Sequence, residues 1–300
     1  MKIENSVAGN PENSPLGQVS EYPEKYDARL LYPIPRAQGR EGVLDDAVLP
    51  FGGVDIWNAY EVSWLNAKGK PSVAVAMLTM PAASPNIVES KSLKLYLGSL
   101  NQSIFVNIDD VVGAIQRDVS DVVGANILVS LTLIGSEETI SAGSVESGNV
   151  QGEAEAQVEG IALASAICVD DEDVTANEYS VNAAILELDR GGEMVDECLS
   201  SHLLRSNCPV TGQPDWATIF VHYHGPKICR RSLLKYIVSY RNHNDFHEQC
   251  VERVFTDVMK ECRPDKLSVY GRYTRRGGID INPFRSNFEV CADNAKLMRQ

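Results

Sequence analysis

The spacing of apolar residues in the first half of the chain predicts two strands, two helices and a third strand. The runs DIWNAYEVSWLNA and PSVAVAMLTM read as strands, and the glycine-containing segment 68–70 between them is typical of a hairpin. The runs SLKLYLGSL and VVGAIQRDV place apolar residues at helical spacing, and NILVSLTLIG returns to a strand pattern.

The second half of the chain repeats this order. ATIFVHYHG and KIC are strand-like, RSLLKYIVSYR is helical, a second helix carries Phe246, Val251 and Phe255 on one side, and KLSVYGRYTRRGG is strand-like again. Five residues recur at a constant offset of 140 positions: Ser92, Leu93, Tyr96, Leu97 and Ser99 correspond to Ser232, Leu233, Tyr236, Ile237 and Ser239. A duplicated module explains this match. Chance likeness between two amphipathic helices is the alternative.

Composition divides the chain further. Residues 1–50 are rich in Pro, Gly and Asn and predict an irregular arm that precedes an N-terminal module at 51–134. Residues 135–195 form an acidic, Gly/Ser/Glu-rich insertion and connection, of which the stretch 135–160 is expected to be a mobile surface insertion, and 196–300 form a C-terminal module. The acidic run CVDDEDVTANEY lacks the alternation and the glycine of a calcium loop, so it is interpreted as a solvated turn.

Net charge and hydropathy exclude several classes of protein. The net charge of -14 opposes direct binding to a nucleic-acid backbone. No run approaches the roughly 18 apolar residues that span a bilayer, and no apolar leader opens the chain, so we expect a cytoplasmic protein without membrane contact. The seven cysteines form an odd set without CxxC pairs, which indicates reduced thiols.

Arginines concentrate near the C-terminal end of this acidic chain. The four arginines concerned are Arg272, Arg275, Arg276 and Arg285. They suggest a locally positive pocket for a small phosphorylated ligand. A mixed-charge solvated surface is the alternative.

Cys208 is the main candidate for chemistry. It lies in the loop SNCPVTGQPD, whose prolines and small polar residues predict an accessible thiol, whereas Cys229, Cys250 and Cys262 are interpreted as core residues. A thiolate needs a lowered pKa or a partner that accepts its proton, and Asp215 is the nearest ionisable residue that one loop can bring back to it.

Two helix starts carry further candidates. Asp245 followed by Glu248 fits a capping box, which gives Glu248 a structural role. Ser90 fits a helix cap, although Lys91 and Lys94 in the same turn are suited to phosphate. In RRGG, at 275–278, the glycines allow the backbone to approach a bulky ligand and the arginines hold its anionic groups.

The sequence has no recognised metal or nucleotide motif. The histidines and cysteines of the second half match no common zinc spacing, and His222 and His224 share one face of a predicted strand, which favours packing. We therefore expect no metal site. No GxGxxG follows a strand and no P-loop is present, so any nucleotide must be held by other means.

Four segments together resemble one known family. VESKSLKLYLGSLNQ, LLRSNCPVTGQPDW, RNHNDFHEQCVERVF and KLSVYGRYTRRGGIDINPFRSN are similar to the two-module form of the queuosine-pathway nitrile reductases, the NADPH-dependent 7-cyano-7-deazaguanine reductases. The likeness extends over nearly the whole chain. One departure is the Gly/Ser/Glu-rich stretch around residues 135–160, which is longer than the family requires.

The resemblance implies a fold and a reaction. The fold is α+β, with tandem tunnelling-fold (T-fold) modules whose antiparallel sheets are each backed by two helices. The reaction converts the nitrile of 7-cyano-7-deazaguanine to an aminomethyl group with two NADPH per turnover, no required metal and no direct nucleic-acid partner. The resemblance gives no oligomeric state; because a tunnelling fold usually closes its barrel by association, we expect a homodimer.

The resemblance also assigns roles to individual residues. It implies that Cys208 forms a covalent thioimide, that Asp215 donates a proton, and that His247 contacts substrate and relays a proton. The remaining assignments are substrate contacts by Val88, Glu89, Ser90 and Glu248, and NADPH contacts by Ser90, Lys91, Arg276 and Gly277.

Three other functions remain open from the sequence. A zinc-dependent pterin or cyclohydrolase relative would share the purine-like pocket and require metal. A cysteine hydrolase would add water to the same thioimide and leave NADPH unused. A binding module would hold deazaguanines without turnover.

Overall fold

A computed structural model describes residues 23, 25–44, 48–136, 139–145, 165–290 and 293–300 of the chain. Two units are distinguished: the first comprises residues 1–39, 57–146 and 276–280, and the second comprises 40–56, 147–275 and 281–300. The division of the sequence at residues 51, 135 and 196 stays a prediction.

The first unit combines helices with a mainly antiparallel sheet. Its sheet has the order β6-β5-β3-β2, and a separate pair is formed by β1 and β4. β2 enters this unit at Trp57. The elements are β1 (Pro33–Pro35), α1 (Arg36–Arg40), β2 (Gly52–Leu65), β3 (Pro71–Pro81), β4 (Asn86–Val88), α2 (Ser90–Ser99), α3 (Ile108–Val123), β5 (Leu128–Leu133) and β6 (Thr139–Ala142).

The turn between β2 and β3 confirms the predicted hairpin. Asn66 Oδ1 accepts hydrogen bonds from the backbone N–H groups of Lys68 at 2.9 Å and Lys70 at 3.1 Å. Gly69 has φ +74°, a left-handed conformation that glycine adopts without steric cost. The side chain of Asn66 therefore closes the turn from inside, as turn asparagines do.

Strand β6 corrects part of the predicted mobile insertion. Residues 139–142 pair with β5, and two hydroxyl contacts cross the strands: Ser130 to Ser141 at 2.7 Å and Thr132 to Thr139 at 2.9 Å. Small polar residues here stabilise a sheet edge through cross-strand hydrogen bonds, not through apolar burial. Within the predicted insertion, residues 137–138 and 146–160 lie outside the described residues.

The second unit has the sheet order β11-β10-β9-β8-β7, in which only the β7–β8 pair is parallel. β11 enters this unit at Ile281. The predicted strand KIC is wrong, because Ile228 forms only an isolated bridge with Leu188. The elements are β7 (Ile167–Cys168), β8 (Met194–Asn207), β9 (Pro214–Pro226), α4 (Arg230–Ser239), α5 (His247–Cys262), β10 (Lys266–Tyr273) and β11 (Ile279–Ser286).

The described parts of both units are mixed α+β, as predicted, and the repeat extends to individual hydrogen bonds. Helices α2 and α4 each have ten residues, and α3 and α5 each have sixteen. The Tyr96 hydroxyl donates to Asp118 of α3 at 2.7 Å, and the Tyr236 hydroxyl donates to Asp257 of α5 at 2.6 Å. Matched buried tyrosine–carboxylate contacts favour duplication over chance likeness between two amphipathic helices.

No helix in the described ranges combines the length and the apolar character that a membrane crossing requires. The helices instead bury one apolar face. In α3, for example, Val111, Ile115 and Val119 are fully buried, as their spacing predicts.

A buried charge cluster lies inside the second unit. Arg285 of β11 is fully buried and its guanidinium contacts Asp55 of β2 and Glu252 of α5, each at 2.8 Å. Arg40 reaches the same Glu252 at 2.7 Å. The two carboxylates more than offset the burial of the guanidinium and raise the pKa of Arg285.

This cluster corrects the prediction that the C-terminal arginines form one pocket. Arg285 is an internal residue, and Arg272 is only 2% exposed and bonds Tyr270, Asn294 and Gln300. Two of the four arginines therefore serve the core, because guanidinium groups with several acceptors can be buried.

We expect Arg285→Met to destabilise the protein by roughly 3 to 5 kcal/mol, because the substitution leaves two carboxylates buried without their shared cation. Urea unfolding at neutral pH measures the change. Lys260→Met, on the exposed side of α5, is the control and should alter stability by no more than about 0.5 kcal/mol. Equal effects of the two substitutions would contradict a structural role for this cluster.

Candidate active site

The β8–β9 hairpin brings Cys208 and Asp215 to the same end of the sheet. Asp215 pairs with Ser206, and the loop between the strands is closed by hydrogen bonds from Cys208 N–H to Gln213 O and from Gly212 N–H to Cys208 O, both 2.9 Å. Gly212 has φ +66°, which this tight loop requires.

The prediction of an accessible Cys208 is wrong. Its residue exposure is 6%, and that of Asp215 is 5%. Polar neighbours in the sequence therefore did not indicate solvent contact, and Cys208 is shielded from bulk water in the folded chain.

The chain before α5 pairs with the end of β8. Asn207 N–H donates to His243 O at 2.8 Å, and Asp245 N–H donates to Asn207 O at 3.1 Å. Asn207 immediately precedes Cys208. This backbone bridge therefore starts α5, with His247 as its first residue, beside the hairpin loop.

His247 is held between a carboxylate and an aromatic ring. Its Nε2 lies 3.1 Å from Asp215 Oδ1, and its ring stacks on Tyr273 at 3.8 Å between centroids and 7° between planes. The buried Nδ1 has no hydrogen-bond partner among the described residues. His247 therefore has one nitrogen bound to Asp215 and the other available to a ligand.

Tyr273 is a site residue that sequence reasoning missed. It lies at the end of β10, two positions before the RRGG turn, and it is fully buried. Nothing in its local pattern distinguishes it from the other core tyrosines. Its importance follows only from the stacking on His247.

The start of α5 corrects the predicted capping box. The helix begins after Phe246, and Gln249 Oε1 accepts a hydrogen bond from Phe246 N–H at 3.1 Å. Asp245 instead contacts His243 at 2.9 Å. The structural role that the sequence assigned to Glu248 is taken by Gln249, while Glu248 is 3% exposed.

The six described cysteines, including Cys208, are free thiols. The environments of the other five differ from one another. Cys250 and Cys262 are fully buried, as predicted, and burial raises the pKa of both. Cys229 is half-buried as the N-cap residue of α4, so its assignment to the core is wrong. A cap position lies at a helix end, where the side chain is only partly covered.

Val88, Glu89 and Ser90 lie together in the first unit at the start of α2. Val88 ends β4, and the Glu89 carboxylate accepts hydrogen bonds from the N–H groups of Lys91 at 2.6 Å and Ser92 at 2.8 Å. The helix cap is thus Glu89 and not Ser90, which corrects that interpretation. Burial raises the pKa of Glu89, and the two backbone donors oppose the rise.

The glycines of the RRGG segment form a two-residue turn in the same unit. Arg276 and Ile279 exchange backbone hydrogen bonds of 2.8 and 2.9 Å, and Gly277 and Gly278 have φ of 54° and 83°. A Cβ at Gly277 would lie 3.1 Å from Lys94 Nζ. The turn therefore approaches α2 closely, next to a cation. The Glu61 carboxylate lies against Gly278 in the same turn. A lysine ammonium beside a glycine backbone suits the phosphates of a nucleotide.

His222 and His224 combine packing with ion pairs. The His222 ring packs edge-on against Phe288 at 5.4 Å between centroids, in agreement with the predicted packing role. His222 also lies 3.2 Å from both Glu289 and Asp196, and His224 lies 3.6 Å from Asp196. The hydrogen bond with Glu289 is the main reason that the pKa of His222 is raised, although burial opposes the shift.

The predicted residues fall into two groups, each within one unit. Cys208, Asp215, His247 and Glu248 belong to the second unit, and the first contains the remaining six: Val88, Glu89, Ser90, Lys91, Arg276 and Gly277. A shielded thiol near a carboxylate–imidazole pair is characteristic of cysteine-dependent enzymes that attack an electrophilic carbon.

Comparison with known proteins narrows this class to one family. Residues 22–131 match a family described as "Nitrile reductase, 7-cyano-7-deazaguanine-reductase N-term", and residues 214–290 match one described as "QueF-like protein". Proteins named NADPH-dependent 7-cyano-7-deazaguanine reductase are similar over nearly their whole length. The protein from Paraburkholderia xenovorans (strain LB400) is 52% identical to this chain. The protein from Paraburkholderia phymatum (strain DSM 17167 / CIP 108236 / LMG 21445 / STM815) is 53% identical. Each alignment covers 97% of this chain and 99% of the relative.

A third relative, from Burkholderia multivorans (strain ATCC 17616 / 249), has the same name and is 50% identical over 97% of this chain and 100% of its own length. The chain belongs to the family of NADPH-dependent 7-cyano-7-deazaguanine reductases.

The buried carboxyl group of Glu89, at the start of α2, allows a pH-dependent test of its burial. Burial raises the pKa of Glu89 in the folded state above its unfolded pKa of about 4.3. The stability that the protonated carboxyl group contributes is therefore fully present below the unfolded pKa. It is lost as the pH rises through the pKa of the folded state. We expect wild type to lose stability relative to Glu89→Gln between pH 4 and pH 7. Chemical denaturation across this range measures the difference.

The exposed Asp109→Asn substitution in the first turn of α3 is the control for general pH effects. A Glu89→Gln difference that stays constant with pH, or that changes in the opposite direction, would show that burial does not govern this carboxyl group.

Proposed function

We propose that the chain reduces the nitrile of 7-cyano-7-deazaguanine to the aminomethyl group of 7-aminomethyl-7-deazaguanine with NADPH, in the pathway to queuosine. It is an oxidoreductase acting on a nitrile. The names of its relatives, at about half identity over 97% of the chain, support the reaction. The observation that carries the residue roles is the 3.1 Å contact between Asp215 and His247 beside the hairpin that bears Cys208.

Cys208 is the proposed nucleophile. Its Sγ adds to the nitrile carbon, one π bond of the C≡N group breaks, and the nitrogen takes up a proton, which gives a thioimide. No group leaves in this step, so the adduct retains all atoms of the substrate. The addition converts a triple bond into a C=N group that a proton donor can activate.

Asp215 is the proposed proton donor, and His247 connects it to the substrate. The Asp215 carboxyl group contacts His247 Nε2, and the other ring nitrogen of His247, Nδ1, is also buried. Tyr273 holds the imidazole plane by stacking. A proton can therefore move between Asp215 and a substrate nitrogen through an imidazole of fixed orientation.

Conversion of a nitrile to a primary amine requires two hydrides, and two NADPH molecules supply one hydride each. Ser90, Lys91, Arg276 and Gly277 are the residues proposed to hold NADPH. They belong to the first unit, where the left-handed turn at Gly277 lies against Lys94. The glycine backbone and the Lys94 ammonium beside it suit a phosphorylated cofactor.

Shielding of the reactive groups supports reduction over hydrolysis. Cys208 and Asp215 are each at most 6% exposed. Hydrolysis of the thioimide, or of the imine that precedes the amine, requires a water molecule near the carbon, and an enclosed site prevents this side reaction.

Two buried carboxylates are proposed to recognise the deazaguanine. Glu89 and Glu248 are 1% and 3% exposed, and the pyrimidinone edge of the substrate offers N–H donors. Glu89 also caps α2, but a carboxylate has about four lone-pair sites and can serve both purposes. Val88, Ser90 and His247 complete the proposed substrate contacts.

We further propose tandem tunnelling-fold modules, a homodimer and a cytoplasmic location without metal dependence or direct nucleic-acid contact. The matched helix pairs and their tyrosine–carboxylate contacts support the tandem modules. The negative net charge supports the absence of direct nucleic-acid binding. The dimer, the location and the lack of a metal requirement stay predictions.

Loss of NADPH absorbance on addition of 7-cyano-7-deazaguanine, with the product identified by mass, tests the function. Two NADPH oxidised per aminomethyl product is the expected result. Formation of an acid or amide without NADPH loss would support a cysteine hydrolase. Binding of the substrate without any product would support a binding module. Loss of activity after metal removal would support a zinc-dependent enzyme.

Cys208→Ala should abolish turnover, because no other described thiol occupies the hairpin loop. In the absence of NADPH, wild type should gain the full mass of the substrate by intact-protein mass spectrometry, while Cys208→Ala still binds substrate without a mass gain. Cys229→Ala, at the start of α4, is the control and should form the adduct. Full turnover by Cys208→Ala would exclude the covalent route.

A further inference from the structure

Strand β7 is a short edge strand of the second unit. It consists of Ile167 and Cys168, which are both exposed, and it pairs with β8 through Leu199 and Ser200. The next residue, Val169, is only 1% exposed. The end of β7 is therefore packed against β8, while the Cys168 side chain stays open to solvent.

Three possible metal ligands converge where β7 ends. The Cys168 Sγ, a carboxylate oxygen of Asp170 and a ring nitrogen of His202 all lie within 4.8 Å of one another. The parallel register with β8 produces this arrangement, since Val169 N–H donates to Ser200 O at 2.9 Å and His202 follows two residues later. Cys168 and Asp170 are two positions apart, whereas His202 lies on β8 more than thirty residues later, so the sequence spacing does not indicate the third ligand.

Two of the three ligands are already oriented by other groups. Asp170 accepts hydrogen bonds from the Ser201 hydroxyl at 2.6 Å and from His202 N–H at 3.0 Å. His202 Nδ1 lies 2.9 Å from Thr218 Oγ1. A metal-binding histidine commonly has one ring nitrogen held by such a partner while the other binds the ion.

The donor set selects the type of ion. Thiolate and imidazole are ligands for Zn²⁺ and related transition metals, whereas Ca²⁺ takes oxygen ligands only. The acidic run 168–179 contains two of these three possible ligands, Cys168 and Asp170, and the thiol among them does not suit a calcium loop. Three protein ligands leave a fourth position for water in a tetrahedral ion.

We propose that Cys168, Asp170 and His202 form a Zn²⁺ site that fastens β7 to β8, separately from the residues proposed for nitrile reduction. The nearby Arg299 guanidinium bonds the carbonyl oxygens of His202 and Ala217 and lies 3.5 Å from Thr218 Oγ1. It contacts the backbone and Thr218 around His202, so this cation lies beside the site and binds the residues that hold His202. Binding converts the Cys168 thiol to a thiolate and releases one proton.

Titration of the full-length, chelator-treated protein with Co²⁺ tests the site, because a thiolate bound to Co²⁺ gives a charge-transfer band in the near ultraviolet. We expect the band to saturate at one equivalent and to disappear when Zn²⁺ is added. Cys168→Ser should lack the band. Cys198→Ser, which removes a half-buried thiol on β8, is the matched control and should retain it.

Thr218→Val tests the support of His202 without removing a ligand. Loss of such a partner commonly weakens metal binding by about 10- to 100-fold, which competition with a chromophoric chelator measures. Zn²⁺ should also raise the melting temperature of wild type but not of Cys168→Ser. The metal-free melting temperatures of wild type and variants show whether each variant folds.

An unchanged Co²⁺ band in Cys168→Ser, or the absence of saturable binding by folded wild type, would overturn the proposal. This result is independent of NADPH turnover, so failure of the metal site is distinguishable from failure of the proposed reaction.

Discussion

The second unit depends on the burial of one guanidinium group. Arg285 brings together the start of β2, strand β11 and helix α5 through Asp55 and Glu252. A fully buried cation tolerates little displacement of its acceptors, because any gap leaves charge without compensation. Glu252 lies on α5 just over one turn after His247 and one turn after Glu248. The same ion pairs that stabilise the core therefore fix the position of the helix that presents both proposed site residues.

The two units share a scaffold but differ in their chemistry. Equivalent helices begin with Glu89, Ser90 and Lys91 in the first unit and with Cys229, Arg230 and Arg231 in the second. The tyrosine–carboxylate contacts between the paired helices are retained in both units, since each buried hydroxyl needs an acceptor. The hairpin that ends in the Asn66 turn in the first unit carries Cys208 in the second. The helix packing is thus similar in the two units, while the hairpin loops and helix starts carry different residues.

Local pattern predicted the elements better than their ends. The apolar spacing of α3 and the β2–β3 hairpin were predicted correctly because each depends on residues close in sequence. The predicted caps at Ser90 and Asp245 were wrong by one residue, since a cap depends on where the preceding chain is held. The strand β6 was missed because its stability comes from hydroxyl pairs with a partner strand, which a count of apolar residues does not include.

By itself, the sequence determined the α+β class and, through its four family segments, the family, and it predicted the residues of the proposed site. It could do so because those residues recur in recognisable local order. Only the tertiary structure decided that Cys208 is shielded, that Tyr273 stacks on His247, that Arg285 is internal, and that Cys168 and His202 meet. Each of these depends on which strands and helices pack together. Burial and contact are properties of distant parts of the chain brought side by side, and no local pattern of residues specifies them.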